Sequence, residues 1–363
     1  MRRRIYLILL TSSVIFAACQ TTTKKAENSQ QTSTRWNETQ AQQWSTENGW
    51  LRGSNFNPST AINQLETWQA ESFDTATINR ELGWAEGIGM NVMRVYLHHL
   101  AWKVDQEGFK GRMKTYLDIA GKHGIKTVFV FFDDCWNPTY AAGKQPEPKV
   151  GVHNSGWVRD PGDLLYSDTT LIKSLESYLK DVLTTFKDDK RIAIWDLYNE
   201  PGNSGYGDKS LPLLKKVFEW GWEIRPSQPL SSAVWSLNLS NLNKFQVENS
   251  DIITYHNYDN PEKHQAAIDT LKLYNRPLVC SEYMARRNNS LFTNIMPILK
   301  EQNIGAINWG LVAGKSNTKY AWDEPIADGS EPKLWFHEIF HPDGTPYKQE
   351  EVDLIKSLTG KNK

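Results

Sequence analysis

The chain has 363 residues and a formal charge of −1, with 41 Lys and Arg against 42 Asp and Glu. That balance offers no basic stripe and excludes a nucleic-acid partner held by charge, while the length accommodates two domains or one large barrel. Three cysteines are too few for a disulfide scaffold, and 15 Trp, 14 Tyr and 13 Phe serve either an aromatic-rich core or a ligand with flat faces, such as a sugar.

The chain opens with MRRR and the short apolar run IYLILLTSSVIFAA, the pattern of an export signal rather than a spanning helix. FAAC at 16–19 resembles the lipobox of bacterial lipoproteins, which implies a lipid on Cys19. Gln20 after it implies sorting to an outer membrane where one exists. The expected division is a signal over 1–18, a lipidated Cys19 with a flexible tether over 19–43, and a folded domain over 44–363. The polar stretch at 20–35 lacks the apolar groups needed to fold. Cys135 and Cys280 are the remaining cysteines.

From residue 49 onward, short β-rich runs alternate with longer helical patterns. The expected strands are 49–56, 91–97, 126–132, 191–199, 229–236, 251–258, 276–283 and 305–311. Helical stretches lie between them, and EEVDLIKSL at 350–358 closes the chain. Such alternation requires parallel strands with right-handed crossovers. Runs as apolar as TVFVFF suit a sheet covered on both faces. Eight units predict a (β/α)8 barrel with its chemistry at the C-terminal strand ends. A doubly wound open sheet would often carry a glycine-rich phosphate loop, and RGSNFNPS is not one. The segment 133–168 is too long for an ordinary connection. With Trp136, Tyr140 and Trp157, it reads as a packed lid over a ligand.

Polar groups collect where the apolar strands end. Asn199 and Glu200 finish the fourth strand, and Glu282 finishes the seventh. Two carboxylates facing one mouth can hydrolyse a glycoside; each alone could equally be a cap or an ion-pair partner. His256 and Tyr258, two apart in the sixth strand, share a side. Arg94 within the second strand needs a carboxylate partner, for which Glu282 is the candidate. Trp309 near the end of the eighth strand could floor a sugar site. No HxH pair or compact His/Asp cluster is visible, so no metal and no cofactor is expected.

The motifs NEP at 199–201, HNY at 256–258, SEY at 281–283 and NWG at 308–310, in this order, resemble clan A glycoside hydrolases. The resemblance is greatest to family 5 and its cellulase-like and 1,4-β-xylanase-like bacterial members, and it covers about residues 44–358. It implies a retaining mechanism with Glu200 as general acid/base and Glu282 as nucleophile. Asn199 would bond the sugar 2-hydroxyl, and Tyr258 and Arg94 would hold Glu282 and keep it ionised. His256 would contact the acid/base or the sugar, and Trp309 would stack at the cleavage point. The chemistry asks for a depressed pKa at Glu282 and a raised one at Glu200. Family 5 commonly has a His near the end of the third strand, where this chain reads FFDDCW. Asp134 is therefore expected among the substrate contacts together with Trp136, and His98, at the end of the second strand, as a substitute donor. The implied partner is a xylan-, mannan- or β-glucan-type substrate. A sugar-binding lipoprotein on a decayed barrel, and a transglycosylase remodelling envelope glycans, remain alternatives. Endo or exo action and oligomeric state are not specified by the sequence.

Overall fold

The computed structural model describes residues 35–361. The expected signal, Cys19 and most of the tether lie outside them. Eight strands form one parallel sheet: β1 Arg52–Asn55, β2 Val92–Tyr96, β3 Lys126–Asp133, β4 Ile192–Asn199, β5 Leu230–Ser231, β6 Ile253–His256, β7 Leu278–Glu282 and β8 Gly305–Asn308. They are hydrogen-bonded in the order β5-β4-β3-β2-β1-β8-β7-β6. A parallel bridge between Val234 and Tyr255 closes the ring, with Val234 N–H donating to Thr254 O and His256 N–H to Val234 O. This is a (β/α)8 barrel, and all eight expected strands are present. β5 is cut to two residues because Ser232 leaves the ladder to donate its hydroxyl to Tyr198 O.

The helices form because their apolar positions repeat on one face. Leu171–Phe186 buries Leu175, Tyr178, Leu179, Val182 and Leu183 toward the strands. Inside the barrel the layer nearest the strand starts is apolar: Val92, Val128, Ala193, Ile194, Ile252, Val279 and Ile307. The next layer up contains the buried charges Arg94 and Asp196. The polar site therefore rests on a dry floor and opens at the C-terminal strand ends.

The start of the folded body needs correction. Helix α1 (Glu38–Asn48) occupies residues assigned to the tether, with Asn37 and Gln40 forming a capping box. Ala41, Trp36 and Trp44 pack on the lower apolar layer, and Arg35 donates to the carbonyls of Val247 and Ser250. Two tryptophans in a polar stretch were the signal that this segment buries a face. Among the described residues no helix is long and apolar enough to cross a membrane.

Candidate active site

β4 delivers Glu200 through a strained turn. Its φ of 43° lies in the left-handed region, which costs a non-glycine residue free energy and is characteristic of functional sites. The turn is fixed from below by Asp134, whose carboxylate accepts from Gly202 N–H at 2.8 Å, Ser210 Oγ at 2.5 Å and Tyr198 OH at 2.7 Å. Glu200 Oε1 lies 2.7 Å from His256 Nδ1, and Oε2 accepts from the Cys135 thiol at 3.2 Å and from Asn203 Nδ2. Burial pushes the Glu200 carboxyl up. The hydrogen bond and charge of His256, with Cys135 and Asn203, outweigh it and leave Glu200 below its ordinary value. The expectation of a raised value at Glu200 is thus reversed here, because the neighbour that dominates is an imidazole rather than a second carboxylate.

Glu282 is held by different partners. Oε1 accepts from Arg94 Nη1 at 2.7 Å and Tyr96 OH at 2.8 Å, and Oε2 accepts from Tyr258 OH at 2.7 Å. Arg94, fully buried, also donates to Asp196 at 2.7 Å and to Asn199 Oδ1 at 2.7 Å. A buried guanidinium is tolerable only with such partners. A register shift after Tyr255 sets His256 beside Glu282, so its Nδ1 is 3.4 Å from that carboxylate as well.

These groups line a cavity of about 580 Å³. Glu200, Glu282, Asn199, Tyr258, Trp309 and Trp136 all face it. Arg94 and His256 lie just behind, bonded to the two carboxylates. Tyr96, Trp157 and Trp309 meet edge to face, with ring centres 5.0–5.9 Å apart, and make one stiff wall. The loop after β3 folds back on itself, with an antiparallel bridge at Asp133–Asp160 and a parallel one at Asn137–Val158. It packs over the mouth and brings in Trp157.

Two expected contacts are not in the cavity. Asp134 is buried beneath the β4 turn, and Asp133 is the one that faces the cavity. Val130 points inward, but both Phe131 and Phe132 turn outward onto Tyr178, so the alternation skips a step and Asp133 comes inside. Asp133 accepts from Trp157 Nε1 at 2.7 Å, Asn199 Nδ2 at 2.9 Å and Cys135 N–H at 2.9 Å. Burial nevertheless drives its carboxyl up to about 7. His98 is the N-cap of the helix His99–Val104, accepting from Leu100 N–H at 3.1 Å. Its ring lies under Tyr140 and against His99, and burial lowers it to about 4.

Two compact groups of ligand-type side chains do form: His98, His99 and Asp160, which the sequence did not reveal, and Glu200, His256 and Glu282. In the first, Asp160 is spent on the backbone N–H and ring of His99, and His98 on its cap. The second is the carboxylate pair itself. Sequence reading also missed Tyr96, Trp235, Trp322, His337 and the long segment 312–348 that follows the expected eighth strand. That segment joins the β3 loop through Asn154 N–H to Ser316 O and Ile326 N–H to Gly151 O. Together they wall one side of the cleft. Tyr96 alone carried a signal, being two residues from Arg94 in one strand.

No family model and no curated protein matches the sequence. Solved structures do match. An alanine variant of GH5_18 from Streptomyces cattleya, in complex with Manβ1-4GlcNAc, is 12% identical over 85% of this chain and 80% of its own, with a TM-score of 0.59. The hyperthermostable endo-1,4-β-D-mannanase from Thermotoga petrophila is 15% identical over 86% and 99%, with a TM-score of 0.55. A β-1,4-mannanase from the sea hare Aplysia kurodai is 18% identical over 79% and 95%, with a TM-score of 0.52. The likeness is one of fold.

Proposed function

We propose that the chain is a retaining β-glycoside hydrolase acting on a β-linked polysaccharide or its oligosaccharides, of mannan, xylan or β-glucan type. One observation carries this. An oxygen of Glu200 and an oxygen of Glu282 lie within 4.8 Å of each other at the floor of a tryptophan-walled cleft. Retaining enzymes hold their carboxyl groups about 5–5.5 Å apart, and inverting ones about 6.5–9.5 Å to admit a water. In the first step Glu282 attacks the anomeric carbon and forms a glycosyl ester. The bond to the leaving oxygen breaks as Glu200 gives that oxygen its proton. In the second step Glu200 takes a proton from water, whose oxygen displaces Glu282. Asn199 presents its amide beside the nucleophile for the 2-hydroxyl, and Trp309 offers a face for the sugar ring. No cofactor is needed.

Mannan heads the substrate panel because mannanases are among the structures of like fold. The test is a product profile. The chain lacking residues 1–34 is incubated with mannan, xylan, β-glucan and their oligosaccharides, with Glu282→Ala as control. Anomeric proton spectra follow the first product. Cleavage absent from the control, with a β-configured first product, is expected. Cleavage surviving in the control, or an α-configured first product, would remove the assignment. We also propose export and lipid attachment at Cys19; the full-length protein expressed in a bacterium should incorporate labelled palmitate, and Cys19→Ala should not.

A further inference from the structure

The cavity is acidic, with Asp133, Glu200 and Glu282 on its surface, yet Arg159 also lines it. Among the described residues, it is the only Lys or Arg that does so. The two histidines of the lining bring no balancing charge: burial takes His153 down to about 4 and holds His337 well below the ordinary histidine value. A neutral glycan offers hydroxyls to a guanidinium there but no counter-charge.

The bonding of Arg159 is unlike that of the protein's deeply buried arginines. Arg94 is paired with Asp196 and Glu282, and Arg286 with Glu351. Among the described residues, no carboxylate oxygen lies within 4.0 Å of the Arg159 guanidinium; its protein neighbours there are the ring and hydroxyl of Tyr206, which carry no charge. Its Nε is buried without a partner. The two nearby acids are engaged elsewhere. Asp134 serves Tyr198, Gly202 and Ser210, and Asp163 accepts from the Tyr206 hydroxyl. Arg159 as a whole is half-buried, and the cost falls on that one donor left unmade.

The side chain is nevertheless well placed. Its backbone is fixed in the loop after β3, donating to Asn137 O at 2.9 Å, and its guanidinium lies 4.9 Å over the Tyr206 ring. A guanidinium stacked on one face keeps its edge for a planar or tetrahedral oxyanion. Asn137, Asn203 and Ser204 stand on the same lining and add neutral polar groups.

We infer that the cleft takes a glycan bearing an anionic group, a uronate carboxylate or a sulfate ester, and that Arg159 holds that group. The glycan part rests on the function proposed above; the anion part rests on Arg159 alone. Calorimetric binding to the chain lacking residues 1–34 tests it without turnover being required. One pair of probes is xylo-oligosaccharides with and without glucuronic acid branches, and another is mannotriose with and without sulfate esters. In at least one pair the acidic member should bind about ten-fold tighter or more, the yield of one charge-assisted hydrogen bond. The pair that shows the advantage separates uronate from sulfate. Arg159→Gln should reduce that ratio to near one, and Arg159→Lys should keep part of it. Because the reading is a ratio within one protein, a partly unfolded variant lowers both members and leaves it intact. Equal binding in both pairs, or an advantage that survives Arg159→Gln, would overturn the inference. Cleavage of neutral glycans with no acidic advantage would do so while leaving the hydrolase reading in place; acidic advantage without any cleavage would do the reverse.

Discussion

Asp133→Asn separates a titrating buried carboxyl from the hydrogen bonds around it. The unfolded chain releases this proton near 3.8, whereas the native state keeps it up to about 7 because burial disfavours the charge. The penalty is therefore absent below the unfolded value, grows as pH rises, and is complete above 7. A rise of roughly three pH units corresponds to about 4 kcal/mol, of which about 3 kcal/mol falls between pH 5 and pH 8. For a domain of this size that is worth about 4 °C in Tm. Asparagine presents an N–H₂ where Asp133 accepted from Trp157, Asn199 or Cys135, a loss of about 1–3 kcal/mol. That cost is the same at both pH values and cancels. The assay is thermal unfolding of both proteins at pH 5 and pH 8. The variant should gain about 4 °C on the parent between the two conditions. A gap that stays constant to within about a degree, or moves the other way, would refute the assignment of a buried, proton-holding carboxyl to Asp133.

Four further outcomes are expected. Glu282→Ala loses turnover, and azide restores some of it as a glycosyl azide of inverted configuration, detected by mass and anomeric coupling. Glu200→Ala slows substrates with poor leaving groups by about 10²–10⁴-fold and activated aryl glycosides far less; equal loss on both would exclude it as the acid. In His256→Gln the hydrogen bond and charge that hold Glu200 down are weakened, so the alkaline limb of kcat/KM moves to higher pH. Trp44→Ala, half-buried beneath the barrel, costs about 2 kcal/mol in denaturant unfolding, less than a fully buried tryptophan, and leaves kcat unchanged.

The barrel was legible because parallel strands covered on both faces must be continuous apolar runs, and TVFVFF or IAIWDLY can be little else. The carboxylates, Arg94, His256 and Tyr258 were legible because a polar group at the end of such a run has few places to go but the mouth. Legibility failed where local geometry broke the simple period. Asp134 was chosen over Asp133 because the outward pair Phe131–Phe132 cannot be seen in a string of four aromatic and apolar letters. His98 looked like a strand end, but the chain turns into a helix at His99 and the imidazole becomes its cap. Trp322 and His337 belong to no strand. They reach the cleft through contacts between segments about 170 residues apart, Asn154 with Ser316 and His153 with Tyr320, for which the sequence offers no local signal.

The two carboxylates differ less by burial than by company, and the difference suits a two-step cycle. Glu282 has a fixed cation and two hydroxyls at hydrogen-bond distance, none of which leaves during the reaction. Among the described residues, no Lys or Arg is paired with Glu200. Its largest electrostatic neighbour is His256, whose Nδ1 is 2.7 Å from Glu200 and 3.4 Å from Glu282. While Glu282 is charged it competes for that imidazole and adds its own negative field, so Glu200 holds a proton more readily. Once Glu282 is esterified its charge is gone, and the whole attraction of His256 falls on Glu200. The same residue then releases protons more readily and acts as the base that the second step requires. In the proposed cycle the switch from acid to base thus follows from the charge on the nucleophile, relayed through one histidine that a register shift in β6 brings between them.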